Sequence, residues 1–371
     1  MAIGAGLPFA FNFKKYYNTS VVTMDRFFLA LLVFIPATFV ATLLGVSPVW
    51  LFFLSALAII PLAKYIGEAT EEIATRTGPA LGGFLNATFG NATELIIGVL
   101  AIKAGLIEVV KASITGSIIG NLLLVLGMAM FFGGRKRKKQ QFNKTAALAS
   151  ASTLLLAVTA LVMPAIFLQT APTAGAATVE KLSIFVAVCM IIIYFANLWF
   201  SLFTHKHLYT EEVGTYESYW SMRRSVVILV AATLAVSWAS NVLVSTIEPV
   251  VARFGWTELF VGVVFVAIIG NIAEHMSAIT VALKNRMDLA LQIAIGSASQ
   301  IAMFVAPALV LASLFFKDQM SLVFNTLELV AVIMSVLVVN TIVQDGESNW
   351  LEGVQLVFAY VIIAAAFFFH P

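Results

Sequence analysis

The sequence predicts an all-α polytopic membrane protein of eleven transmembrane helices: one extra N-terminal helix, then two inverted-topology five-helix repeats. Three observations carry this expectation. Hydrophobic residues make up 61% of the 371 positions and charged ones 11%, with a mean hydropathy of +1.00, too apolar for a water-soluble domain of this size. The apolar residues gather into eleven runs of about 18–25 residues, the length that crosses a hydrocarbon core of ~30 Å. Finally, the chain matches itself at a single ungapped shift of 180 positions.

Charges, glycines and prolines set the limits of the runs. In chain order they are Arg26 to Leu44, closed by Gly45; Val49 to Ile66, opened by Pro48 and closed by Gly67; Pro79 to Ile102, closed by Lys103; and Val109 to Phe132, closed by Gly133 and the basic block Arg135 to Lys139. Next come Thr145 to Leu168, Lys181 to Thr204, Ser225 to Ile247 and Trp256 to Leu283, the last closed by Lys284. Leu289 to Phe316, Ser321 to Val343 and Trp350 to Phe369 complete the series.

Placing the amino terminus in the cytoplasm assigns 16 of the 21 basic residues to the inside and leaves only Lys103, Lys111, Lys181, Arg253 and Lys317 outside. The excess of positive charge on cytoplasmic loops favours this orientation, and eleven crossings then put the carboxyl terminus outside.

The shift of 180 pairs Glu68 with Glu248, Gly82 with Gly262, Gly90 with Gly270, Asn91 with Asn271 and Glu94 with Glu274; it also pairs Glu108 with Asp288, Gly116 with Gly296 and Ser117 with Ser297. The second to sixth runs therefore correspond to the seventh to eleventh. Five is odd, so the halves lie in the membrane with opposite orientation, as in secondary transporters that bind substrate near the midplane. The expected organisation is a cytoplasmic N-terminus and first span over residues 1–48, a first repeat over 49–204, a polar linker over 205–222 with Glu211, Glu212 and Glu217, and a second repeat over 223–371.

The lone Cys189 excludes an intramolecular disulfide and any cysteine-based metal or haem site. The basic block has no interleaved aromatics and sits between two apolar runs, so no nucleic-acid partner is expected; it reads as a topology signal, with anionic-lipid contact as the sharper alternative. The first residues lack a compact apolar core with a small-residue cleavage site, so no cleaved signal peptide is read.

Glu94 and Glu274 each lie at mid-span depth, where an ionisable side chain costs about 2.5–3.5 kcal/mol or more and so marks a pathway or site. Each follows a Gly-Asn pair, Gly90-Asn91 and Gly270-Asn271. Glycine weakens a helix and asparagine offers a competing side chain, which predicts a local break in both spans, with carbonyls turned toward a cavity or ion. Ser117 with Asn121, and Ser297 with Gln300, share helix faces at their spacings. Two carboxylates with hydroxyls, amide oxygens and carbonyls make an all-oxygen cage, suited to a hard cation such as Ca²⁺ and charge-balanced by one divalent ion.

The stretches Gly90 to Gly134 and Gly270 to Ser313 resemble the paired alpha-repeats of the cation/Ca²⁺ exchanger superfamily. Together with Gly78-Pro79-Ala80-Leu81-Gly82-Gly83 and the segment Asp345 to Gly353, they are similar to its Ca²⁺/H⁺ antiporter branch. The resemblance implies Ca²⁺ bound between Glu94 and Glu274, with ligand roles for Ser117, Asn121, Ser297, Gln300 and the carbonyls near Gly90 and Gly270. Unlike the Na⁺/Ca²⁺ exchanger pattern, no carboxylate follows Ser297, and Gln300 stands nearby, which leaves fewer charges for Na⁺ and favours proton coupling.

His275 and Glu328 are candidates for proton coupling, with a packed neutral histidine and a structural carboxylate as the plain alternatives. His205 and His207, at a span end, read as solvated. Glu68 and Glu248 sit near span ends, as mouth charges or solvated faces. The expected activity is Ca²⁺/H⁺ antiport by alternating access. A Na⁺-coupled or broader divalent-cation exchanger is the nearest rival, and a channel or an intramembrane enzyme the remoter ones. An enzyme lacks its parts: there is no His-Glu-x-x-His and no Gly-x-Ser-x-Gly. No cofactor is expected, Ca²⁺ and H⁺ being cargo. The expected setting is a lipid bilayer, most simply a prokaryotic plasma membrane, with a vacuolar membrane and a homo-oligomer left open.

Overall fold

The structure, a computed structural model, describes residues 26–77, 79–173, 175–204 and 219–370. Lys14 and Lys15, and the linker residues His205, His207, Glu211, Glu212 and Glu217, lie outside the described residues.

The described chain is helical almost throughout. Its helices are α1 (Arg26–Leu43), α2 (Pro48–Thr77), α3 (Pro79–Phe89), α4 (Ala92–Lys103), α5 (Ile107–Gly134), α6 (Lys144–Thr170), α7 (Ala176–Thr204), α8 (Met222–Ser245), α9 (Ile247–Phe254), α10 (Glu258–Leu283), α11 (Met287–Ser313), α12 (Thr326–Ile342) and α13 (Trp350–Phe369). Among the described residues, nine helical stretches are long and apolar enough to cross a membrane.

Three differences from the run limits have physical causes. The run from Pro79 is split into α3 and α4, because the helix stops at Gly90 and restarts from Asn91, whose φ of −99° and ψ of 17° are not helical. The tenth run is shorter than Ser321 to Val343: Asn325 accepts from the Glu328 amide at 2.8 Å while Glu328 accepts from the Asn325 amide at 2.9 Å, a capping box that starts α12 only at Thr326. α2 runs on past Ile66 to Thr77, its polar turns held by Lys64 to Glu68 at 2.8 Å and by Glu72, which accepts from the amides of Tyr219 and Trp220 at 3.0 and 3.2 Å.

Burial orders the bundle. In α5 and α11, 83% and 72% of the apolar window is buried, against 22% in α1, α7 and α13, so α5 and α11 form the centre and the other three face outward. α5 crosses α10 closely at Gly116 and Gly262, where a Cβ at residue 262 would lie 2.7 Å from the Val109 carbonyl oxygen. Only glycine admits that approach, as in small-residue crossings of membrane helices.

Three central helices carry a widened turn, Gly120–Val125 in α5, Val261–Val266 in α10 and Ile301–Val305 in α11. Such i→i+5 turns insert a residue into the helical ladder and recur at functional sites.

Three connections meet at one end of the bundle. Strand β1 (Gln140–Gln141) pairs antiparallel with β2 (Glu347–Ser348), Gln140 opposite Ser348. Gln140 Nε2 donates to the Ala282 carbonyl at 3.0 Å and to Asn285 Oδ1 at 3.1 Å, and Arg137 donates to the Leu283 carbonyl at 3.3 Å. These bonds add side-chain donors to the last carbonyls of α10, of which Ala282 also accepts from the Asn285 amide at 3.0 Å. The Lys139 ammonium, hydrogen-bonded to exposed Glu347, holds that carboxyl below the usual carboxylate range. At the opposite end, the Leu322 amide donates to Ser183 Oγ at 3.0 Å.

Candidate functional site

The broken run and the central helices bring the repeat-related residues together. Glu94 lies in the first turn of α4, just past the Gly90–Asn91 break. Such a break inside a bilayer persists only where its freed groups find partners or line a cavity. Here Asn91 Nδ2 donates to Gln300 Oε1 at 2.7 Å, reaching from the break to α11.

The second Gly-Asn pair behaves differently from the expectation. Gly270 and Asn271 lie inside the continuous helix α10. Asn271 Nδ2 donates back to the Ala267 carbonyl at 2.9 Å and also to Ser117 Oγ at 2.9 Å, so its side chain reinforces the helix instead of opening it. The irregularity of α10 lies earlier, in the turn Val261–Val266.

The remaining bonds interlock the two halves. Asn121 Nδ2 donates to Ser297 Oγ at 2.9 Å and to Asn271 Oδ1 at 3.3 Å. Ser297 in turn donates its hydroxyl proton to Glu274 Oε2. Each serine is thus bonded by an asparagine of the other half, Ser117 by Asn271 and Ser297 by Asn121. The widened turn Gly120–Val125 contains Asn121 in its first positions and aims that amide across the interface.

Glu94 packs on the backbone of α10, where a Cβ built on Gly270 would lie 3.3 Å from Glu94 Oε1. Glu94 and Glu274 are close enough for the charge of one to act on the other. Among the described residues neither forms an ion pair. Glu94 Oε2 and Asn121 Oδ1 are buried and accept no hydrogen bond among the described residues. Buried oxygens without donors are rare, because each forfeits its hydration. An all-oxygen donor set with two uncompensated carboxylates fits one hard divalent cation.

His275 is buried at 3% exposure, and its Nε2 has no hydrogen-bond partner among the described residues. Glu328 stands apart from the hydrogen-bonded group. The run Ser321 to Val343 places it inside a span, but it lies in the first turn of α12, fully buried, with Oε1 accepting from Thr115 Oγ1 at 2.9 Å and Oε2 engaged in the capping box.

A cavity adjoins the site, lined by Glu94, Ser113 and Ser117 among apolar side chains. Ser113 escapes the repeat signal because its counterpart at the shift of 180 is Ile293. The signal that finds it is its place one helical turn before Ser117.

Comparison with known proteins adds to this geometry. The family described as sodium/calcium exchanger protein matches residues 47–203 and 224–369. A Ca²⁺/H⁺ antiporter of Synechocystis sp. is 47% identical, covering 94% of this chain and 99% of the relative. A Ca²⁺/H⁺ antiporter of Bacillus subtilis is 46% identical, covering 93% and 99%. A crystal structure of the Ca²⁺/H⁺ antiporter YfkE superposes with a TM-score of 0.81 at 43% identity, covering 93% of this chain and 100% of that one. With the family matched over two stretches that span most of the chain, and identity this high over nearly its whole length, the chain belongs to the sodium/calcium exchanger protein family.

Proposed function

We propose that this protein is a secondary-active antiporter that exchanges Ca²⁺ for H⁺ across a membrane by alternating access, with Glu94 and Glu274 binding Ca²⁺ or protons in turn. The observation that carries the site assignment is the pair of mid-membrane carboxylates without a cationic partner, set in a network of hydroxyls and side-chain amides from both halves. The names of the relatives support the exchanged ions. Proton coupling is favoured over Na⁺ because Gln300, bonded by Asn91 at 2.7 Å, supplies no further charge beside Ser297.

The same reading takes α3 and α4 together as one crossing and α12 as another, giving eleven spans with α1 as the extra helix and repeats over 49–204 and 223–371. The halves are unequal in shape: the first is broken at Gly90 and the second continuous at Gly270. Inverted repeats in two different shapes open the shared site to one side at a time. The end that carries Arg135 to Lys139, Lys284 and Arg286 is cytoplasmic on the positive-inside rule. The bacterial source of the relatives favours a prokaryotic plasma membrane. Ca²⁺ is cargo in this scheme, and Ser117, Asn121, Ser297 and Gln300 with the carbonyls near Gly90 and Gly270 complete its surroundings.

The test is Ca²⁺ uptake by purified protein in Na⁺-free vesicles under an imposed pH gradient. Uptake that collapses with the gradient is expected. Uptake that needs Na⁺ would replace the proton with sodium as the coupling ion.

A further inference from the structure

The cavity beside Glu94 extends toward the end of the bundle opposite the basic loops. Its polar lining consists of Glu94, Ser117 and Ser113, and its apolar lining includes Ile97, Val305 and Leu309. Ser113 and Ser117 are one helical turn apart on α5, and α5 begins at Ile107 at that far end, so Ser113 lies on the outward side of Ser117. Its hydroxyl donates to the Val110 carbonyl at 2.8 Å, so the oxygen stays free to accept at the cavity wall.

Carboxylates stand outward of Ser113 on the neighbouring turns, Glu108 among them paired with Lys111 at 3.1 Å. Glu258 feels the charges of both Glu248 and Glu108. Glu258 lies one helical turn outward from Gly262, where a Cβ would stand 3.2 Å from the Ser113 amide nitrogen. Carboxylates, hydroxyl and Glu94 therefore descend in that order along the contact of α5 with α10.

The same lining includes an aliphatic side chain packed tightly on α4. Leu309 of α11 rests on α4 at Gly98, where a Cβ would lie 2.7 Å from Leu309 Cδ1, one turn outward from Glu94. An apolar constriction excludes water and ions until its side chain moves.

We infer that Ser113 lines the outward route of the transported cation, as the polar step between Glu94 and the mouth formed by Glu108, Glu248 and Glu258, with Leu309 as the seal. The inference rests on the transport reading above. A cation that sheds water between apolar walls needs replacement oxygens, so one hydroxyl halfway along the route carries weight. Ile293 occupies the corresponding place in the second half, so the hydroxyl step belongs to one route only.

The experiment uses the full-length protein with its single cysteine replaced, Cys189→Ser, carrying Ser113→Cys. The probe is the membrane-impermeant cationic thiol reagent MTSET, applied to right-side-out or inverted vesicles. Modification from the outer side, with loss of transport, is expected. Ca²⁺ at ten times its Kd should slow it about tenfold by occupying the site. Ile97→Cys, in the same cavity, should behave alike and covers the case in which Ser113→Cys does not fold.

Modification only from the cytoplasmic side, no modification at either position, or equal modification of the packed control Ser335→Cys would overturn the route. Uptake driven by the pH gradient is measured in the same vesicles before labelling. Uptake with unreactive cysteines rejects the route alone, whereas reactive cysteines without uptake reject the transport reading.

Discussion

Glu94 rests on Gly270: the nearest atoms of its side chain stand 3.2–3.4 Å from where a Cβ at residue 270 would be. A carboxylate from the first half is thus seated on the backbone of the second. Gly270→Ala should push that carboxylate aside by a few tenths of an ångström without breaking α10, since alanine favours a helix. We expect the KM for Ca²⁺ to rise about five- to tenfold, roughly 1–1.4 kcal/mol, with thermal stability unchanged or improved. An unchanged KM in Ca²⁺ uptake assays would show that Glu94 is not held there in the working protein.

Glu94→Gln and Glu274→Gln should each abolish exchange while the protein still folds. Glutamine keeps the shape and the polarity but removes one of the two charges that balance a divalent ion. Size-exclusion profile and helix content should match the parent. Near-normal uptake by either variant would remove that carboxylate from the exchange site.

The two serines should not be equivalent. Ser297 bridges Asn121 and Glu274, whereas Ser117 accepts from Asn271 alone of the site's amides. Ser297→Ala therefore frees a carboxylate oxygen and an amide donor together, and buried groups left unpaired cost about 1–3 kcal/mol each. Ca²⁺ affinity should fall more in Ser297→Ala than in Ser117→Ala, with transport retained in both. Equal losses would mean that the Asn121 to Ser297 to Glu274 chain does not persist during the cycle.

Much of this site can be read from spacing. Glu94, Glu274, Ser117 and Ser297 stand out because ionisable and hydroxyl residues are scarce in apolar runs and recur at one shift. The partnerships among them are not readable that way. A glycine followed by asparagine signals a weak point in both spans, yet Asn271 bonds Ala267 and Ser117 and keeps its helix whole, while Asn91 reaches Gln300 and lets its helix part. The difference lies in which cross-half partner each amide meets, a tertiary fact. Glu328 misleads for a similar reason: hydropathy places it inside a span, but Asn325 captures it in a capping box that shortens the helix. Ser113 is silent because repeat matching rewards only what occurs twice.

The loop from Arg137 to Gln141 should matter for stability more than for the ion. Gln140 is 2% exposed and caps the end of the Glu274 helix through Ala282 and Asn285. Gln140→Leu would leave Asn285 Oδ1 without that donor and the Ala282 carbonyl with its backbone donor alone, at about 1–3 kcal/mol. A lowered Tm in detergent with Ca²⁺ KM within about twofold of the parent is expected, since 0.4 kcal/mol is about a factor of two. An unchanged Tm would show that the cap carries little of the bundle's stability.

Stoichiometry follows from counting charges around the site. When Ca²⁺ leaves, two carboxylates without cationic partners face each other in a confined space, and two protons remove both charges for the return step. If they alone carry protons, each cycle exchanges two H⁺ for one Ca²⁺ and moves no net charge. A third proton needs another carrier on the path. Glu328 is poorly placed for this, because both its oxygens already accept hydrogen bonds, from Thr115 and from the Asn325 amide, away from the ion-binding group. His275 is adjacent to Glu274, and its buried Nε2 has no partner among the described residues, which leaves it as the one competing carrier. One net charge per cycle would couple transport to the membrane potential at about 2.3 kcal/mol per 100 mV, roughly a fifty-fold change in the Ca²⁺ ratio. We therefore expect the steady Ca²⁺ gradient in valinomycin-clamped vesicles, at fixed pH difference, to be independent of potential. A fifty-fold dependence that vanishes in His275→Gln would instead make the histidine the third proton carrier, and one that vanishes only in Glu328→Gln would mean that the capping box opens during the cycle.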